Sequence, residues 1–149
     1  MMIEALNEKF PFLDQFEGGK GLAIAKDLLE VMLHYRFFYQ DTLAVFRLNP
    51  KIRPLYMTYQ QRMYQLIENI TYLAIGKGIM QPEPTENHYA YFAKNTWLTF
   101  NFWMVNEHLI GHTQLDINEG LRLIANLIYP NYTEKGRAMY EKVMGDLVI

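Results

Sequence analysis

The nine residues from Trp97 to Val105, WLTFNFWMV, leave this chain few ways to fold, because seven of them are apolar. Wound at about 3.6 residues per turn, they send Trp97, Phe100 and Met104 to one side and Leu98, Phe102 and Val105 to the other. A helix that is apolar on both sides needs two partners. In a small protein one side meets the protein's own core, and the other is left for a second subunit or a bound apolar molecule.

The rest of the chain has to supply that core. At 149 residues it fits one domain and is long enough to bury a substantial interior without staples. It has no cysteine, which excludes disulfides and thiolate chemistry and favours a cytoplasmic location. Eleven Tyr, nine Phe and nine Met point to aromatic, adaptable walls around a core or cavity. A net charge of -2 offers no concentrated basic face for phosphates, so these residues are not expected to hold DNA themselves. No run of about 20 apolar residues exists to span a membrane. The opening MMIEALNEKF lacks the basic and apolar regions of a signal peptide.

Taken in order, Met2 to Lys9 allows a turn or two of helix before Pro11 and reads as the tail of something longer. After the flexible run Gly18, Gly19, Lys20, Gly21, a helical pattern extends from Leu22 to about Asp41, with Ile24, Leu28, Val31, Tyr35 and Phe38 as its stripe. Thr42 to Leu48 continues as a short or bent helix. Asn49 and Pro50 read as a cap and first residue of a helix that carries Ile52, Tyr56, Tyr59, Met63, Ile67 and Ile70 and closes at Gly76 or Gly78. Thr85 is the expected cap of the helix holding the opening stretch, which ends near Ile110. Asp116 and Glu119 have capping-box spacing for a helix apolar on two sides, with Ile117, Leu121, Ile124 and Ile128 on one and Leu123 and Leu127 on the other. Thr133 caps a last helix with the stripe Tyr140, Val143, Met144 and Leu147. No alternating strand pattern with hairpin turns appears, so the expected class is all-α: an antiparallel bundle of five or six helices.

Several phrases resemble the C-terminal domain of TetR/AcrR-family transcriptional regulators: HYRFFYQDTLAVFRLNPKIRPLY from His34, GKGIMQPEP from Gly76, WLTFNFWMVNEHL ending at Leu109, and LIYPNYTEKGR from Leu127. The resemblance covers most of the chain from residue 20 onward. It implies a helical effector-binding and dimerisation domain over 20–149, preceded over 1–19 by the tail of a connecting helix and a loop. It also implies that DNA is bound only through an N-terminal helix-turn-helix missing from these residues. The helices from Thr85 to Ile110 and from Asp116 to Tyr129 would then form a four-helix bundle with their copies across a two-fold axis. Leu98, Phe102, Val105, Leu109, Leu123 and Leu127 are the candidate dimer contacts.

The candidate effector site mixes aromatic bulk with polar tips: Tyr35, Tyr39, Tyr56, Tyr59, Met63, Trp97, Phe100, Asn101 and Met104. Such a lining suits a small apolar or amphipathic molecule, and the same residues would also serve as ordinary core. Asn101 has two readings, a ligand contact or a hydrogen bond that fixes the register of the dimer. Arg36 either meets a ligand carboxylate, or pairs with an acidic side chain or snorkels to water. A competing reading is a helical metalloprotein built on His34, His88, His108 and His112. His108 and His112 stand four residues apart, with Gly111 between them and no third ligand apparent. A third is a stand-alone dimeric interaction module. No nucleophile elbow, phosphate loop or zinc-protease motif is present, so no enzymatic activity and no cofactor are expected.

Overall fold

The computed structural model describes residues 21–147. The expected N-terminal tail over 1–19, and the glycine run as far as Lys20, lie outside the described residues. Seven α-helices follow in order: α1 (Gly21–His34), α2 (Arg36–Gln40), α3 (Thr42–Leu48), α4 (Ile52–Gly76), α5 (His88–Leu109), α6 (Ile117–Ile128) and α7 (Glu134–Leu147). A 3-10 turn, Tyr129–Asn131, joins the last two. The only pairing of extended backbone among the described residues is an isolated bridge between Met80 and Tyr132.

The expected continuous helix from Leu22 to Asp41 is instead broken at Tyr35, whose φ of -102° and ψ of 28° lie off the helical values. The break has a packing cause. The α1 stripe buries Leu22, Ala25, Leu28, Leu29 and Met32 against α6 and α7, while α2 packs on α5. Tyr39 must therefore reach a different partner from Met32, and a bend between them re-aims it.

Two N-terminal caps also sit elsewhere than expected. Helix α4 starts at Ile52 rather than Pro50, because Asn49 closes a turn first: its side chain accepts the Lys51 N–H at 3.3 Å and its carbonyl the Ile52 N–H at 3.1 Å. Helix α5 starts at His88, with Asn87 at a φ of +61° as its cap, so Thr85 is not the cap. The Glu83 carboxylate accepts the Tyr89 N–H at 3.1 Å and so meets the unpaired donors of the first turn.

Other local signals hold. Gly78 takes a φ of +72° and donates to the Ile75 carbonyl while Ile79 donates to that of Ala74, the double bond that closes a helix on a left-handed residue. Asp116 caps α6 by accepting the Asn118 N–H at 2.9 Å. Its expected partner Glu119 turns to Arg122 at 3.8 Å. Thr133 caps α7, its hydroxyl oxygen accepting the Gly136 N–H at 3.1 Å.

The core lies where α1, α4, α5 and α6 meet. Leu29, Met32, Trp97, Met104, Leu121 and Ile124 are sealed from solvent there, and α6 is wedged between α1 and α5. A second, smaller cluster around Tyr89, Phe92, Ile79 and Met80 fastens the α4–α5 connection to the residues after α6. The Gln81 N–H donates to the Asn131 carbonyl at 2.8 Å, the Thr133 N–H to that of Ile79 at 2.9 Å, and the Thr133 hydroxyl to that of Gly78 at 2.6 Å. This seam fixes the start of α7, and α7 in turn lies across α1.

Candidate effector cavity and the outer face of α5

Beside the core, the helices line a half-open cavity of about 850 Å³. Helix α1 contributes Leu22, Ile24, Ala25 and Leu28, and α4 contributes most of its length from Tyr59 to Ala74. Phe92, Thr96 and Phe100 of α5 and Ile124 and Ile128 of α6 form the floor, and Tyr132, Met139, Tyr140 and Val143 close the far side. The size is that of a small-molecule site, and the walls are mainly apolar with a few placed polar groups.

Of the nine residues proposed from sequence, Tyr59, Met63 and Phe100 line this cavity. Tyr35, Tyr39, Tyr56, Trp97, Asn101 and Met104 lie outside its walls. Trp97 and Met104 are sealed in the core. Tyr39 is buried behind the wall with its hydroxyl 3.3 Å from that of Tyr59. Asn101 uses both ends of its amide inside the subunit, accepting from the Tyr56 hydroxyl at 3.5 Å and donating to the Trp97 carbonyl at 2.7 Å. Tyr56 and Asn101 therefore form a clasp between α4 and α5. Arg36 is exposed on α2 and also lies outside the walls.

The structure adds residues that the pattern reading passed over. Thr96 lines the cavity, is 3% exposed, and its hydroxyl oxygen has no hydrogen-bond partner among the described residues. Burial also acts on the phenols around the cavity. It raises the Tyr39 and Tyr59 hydroxyls well above the ordinary tyrosine range, with Tyr59 adding to the effect on Tyr39. It pushes Tyr132 up to about 12, with Tyr140 adding to it. All three groups are neutral donors at physiological pH. Arg62 is the only Asp, Glu, Lys, Arg or His side chain in the walls among the described residues.

The other side of α5 is a different surface. At about 100° per residue, Tyr91, Leu98, Phe102 and Leu109 fall within an arc of roughly 40°, opposite the buried side of the helix. They are 63%, 50%, 65% and 76% exposed, an apolar stripe on a helix whose inner face is buried. Val105 flanks the stripe and is half-buried. On α6, Leu123 is 42% exposed and Leu127 half-buried, while Leu121, Ile124 and Ala125 face inward.

The four histidines do not converge. His34 and His108 are exposed, the His88 ring is hydrogen-bonded to the Asn131 side chain at 2.7 Å, and His112, beyond the end of α5, contacts the Glu107 carboxylate. Among the described residues no group of three or more His, Asp or Glu is placed to hold a metal. Nor is any helix among them long and apolar enough to cross a membrane.

A family model described as TetR, bacterial transcriptional repressor, matches residues 22–140. The fold is similar to the crystal structure of a TetR-family transcriptional regulator from Marinobacter aquaeolei VT8. The TM-score is 0.76 at 23% sequence identity, over 95% of this chain and 71% of the other. No curated protein matches the chain.

Proposed function

The chain belongs to the TetR family of bacterial transcriptional repressors, and from that premise we propose that residues 21–147 are the effector-binding and homodimerisation part of a transcriptional regulator. A small apolar or amphipathic molecule enters the cavity between α1, α4, α5 and α7. It binds one packing of these helices better than another, and the difference sets the separation of DNA-reading helix-turn-helix units that lie outside residues 21–147. No bond is made or broken, and the site of action is the cytoplasm, where bacterial DNA is.

The observation that carries this reading is the two-sidedness of α5. Its inner face holds Phe92, Thr96 and Phe100 at the cavity, and its outer face carries Tyr91, Leu98, Phe102 and Leu109 into solvent. An unpartnered stripe of that kind is unfavourable in a monomer, and a two-fold axis lets one self-complementary patch cover itself.

Sedimentation of the 149-residue protein tests it. The expected species at micromolar concentration is a dimer, and Phe102→Asp should dissociate it. By symmetry both copies lose the side chain, at about 1.5 to 3 kcal/mol each, so the dimer constant should weaken by roughly a hundredfold or more. A wild-type protein that stays monomeric throughout this range removes the dimer half of the proposal.

A further inference from the structure

We propose that the cavity takes an uncharged or acidic amphipath that presents an oxygen atom to the Thr96 hydroxyl, and that it excludes lipophilic cations. This rests on the reading of the cavity as an effector site and goes on to name the chemistry of the occupant.

The first support is Thr96. Its hydroxyl is buried, and it has no partner among the described residues even though a threonine in a helix can bond the carbonyl one turn back. Buried hydroxyls are nearly always paired, so an unpartnered one on a residue of the cavity wall marks a place for a partner that arrives from outside. A step of about 120° in χ1 carries the threonine hydroxyl to the place of the methyl and the methyl to that of the hydrogen, so the donor can be redirected without any movement of α5.

The second support is charge. Among the described residues the walls contain the exposed Arg62 and no aspartate or glutamate, and the other polar groups there are phenols, amides and hydroxyls. Burial keeps the Tyr59 and Tyr132 phenols in their neutral, donating form. A cation entering such a cavity would leave water and meet no carboxylate among the described residues, which apolar surroundings penalise. A carboxylate meets a guanidinium and several donors instead.

Three probes with the same ten-carbon tail separate the possibilities: 1-decanol, decanoate and decyltrimethylammonium, each titrated calorimetrically below its micelle concentration. The alcohol and the acid should bind and the ammonium should not. The near-isosteric Thr96→Val should weaken alcohol and acid by about threefold to tenfold, the loss of one hydrogen bond. The same substitution should raise the melting temperature of the ligand-free protein, because it removes an unpaired buried hydroxyl. A merely structural threonine would not separate these two readouts. Arg62→Gln should weaken decanoate and leave decanol unchanged. Equal binding of the ammonium, or unchanged binding by Thr96→Val, overturns this inference while leaving the cavity as an effector site. Failure of all three probes to bind overturns both.

Discussion

Gly136 offers the sharpest test of how α7 is held as a wall of the cavity. A Cβ placed on Gly136 would lie 2.1 Å from the Ile79 carbonyl oxygen and 3.0 Å from the Tyr132 ring. Ordinary contact begins near 3.4 Å, so in Gly136→Ala the backbones of α7 and the α4–α5 connection must part by more than an ångström. That movement breaks the seam, because the Ile79 carbonyl also accepts the Thr133 N–H at 2.9 Å. One lost hydrogen bond and an overpacked contact together cost about 1.5 to 4.5 kcal/mol, and the better helix propensity of alanine returns about 1. The expected net loss is about 0.5 to 3.5 kcal/mol, a fall in melting temperature of roughly 2 to 10 °C for a chain of this size. Gly145→Ala, in the same helix with nothing within 4 Å of its Cβ, is the control and should stabilise by about 0.5 to 1 kcal/mol. Both are compared by thermal unfolding at one fixed protein concentration, since any dimer makes the midpoint concentration-dependent. A Gly136→Ala protein as stable as wild type would show that the close approach of α7 to Ile79 is not a constraint on the fold.

Two further outcomes follow from the aromatic packing. The fold binds the neutral forms of Tyr39, Tyr59 and Tyr132, all raised from the ordinary 10.0, so their contribution is intact below pH 10 and is lost as pH rises through 10 toward 12. Denaturant midpoints should be level between about pH 7 and 9 and fall above 10, in step with tyrosinate absorbance, and Tyr132→Phe should soften that fall. A decline already present at pH 8 would place its origin elsewhere. On the other side of the core, a Cβ on Gly120 would come within 3.0 Å of three atoms of the buried Trp103 ring. Gly120→Ala should therefore lower stability by about 1 to 2 kcal/mol and alter the near-ultraviolet dichroism of Trp103. A rise in melting temperature would mean that Trp103 has room to yield.

How much of this was legible in the sequence depends on the range of the interactions. Strong periodicity and capping chemistry are local, so α4, α6 and α7 follow from spacing, and so do Asp116, Thr133 and the choice of a glycine to close α4. The break at Tyr35 is not local. It exists because α1 and α2 address different helices, and no residue there is a breaker. The cap of α5 was missed for a related reason, since Glu83 reaches across the turn to Tyr89 and no short-range signature marks that bond. The candidate site divides in the same way. Aromatic stripes locate the half of the bundle that matters, but they do not distinguish the side of a helix that faces a cavity from the side that faces solid core. Trp97 and Thr96 are neighbours, and the larger is sealed in the core while the smaller lines the cavity. The α7 stripe was visible as Tyr140 and Val143, yet only the docking of α7 across α1 turns it into a cavity wall.

The two halves of the proposed function share a single layer of structure. On α5, Thr96 and Phe100 touch the cavity, while Leu98 and Phe102, two residues further along in each case, point away from it. On α6, Ile124 and Ile128 face the cavity while Leu123 turns outward. A molecule in the cavity and a twin on the outer stripe would thus press on opposite sides of the same helices, separated by one helix diameter of about 10 Å. Close-packed helices do not deform continuously; they shift between discrete packings, and a ligand moves that balance only by its difference in affinity for the two. The unpartnered hydroxyl of Thr96 would be one source of such a difference, because a hydrogen bond to a ligand would form only when the cavity is filled. Linkage then requires the reverse effect: if dimerisation selects one packing of α5 and α6, Phe102→Asp must change the affinity of the cavity for decanoate as well as the association of the subunits. Identical decanoate affinity in monomer and dimer would separate the two faces and leave the cavity without a route to the rest of the regulator.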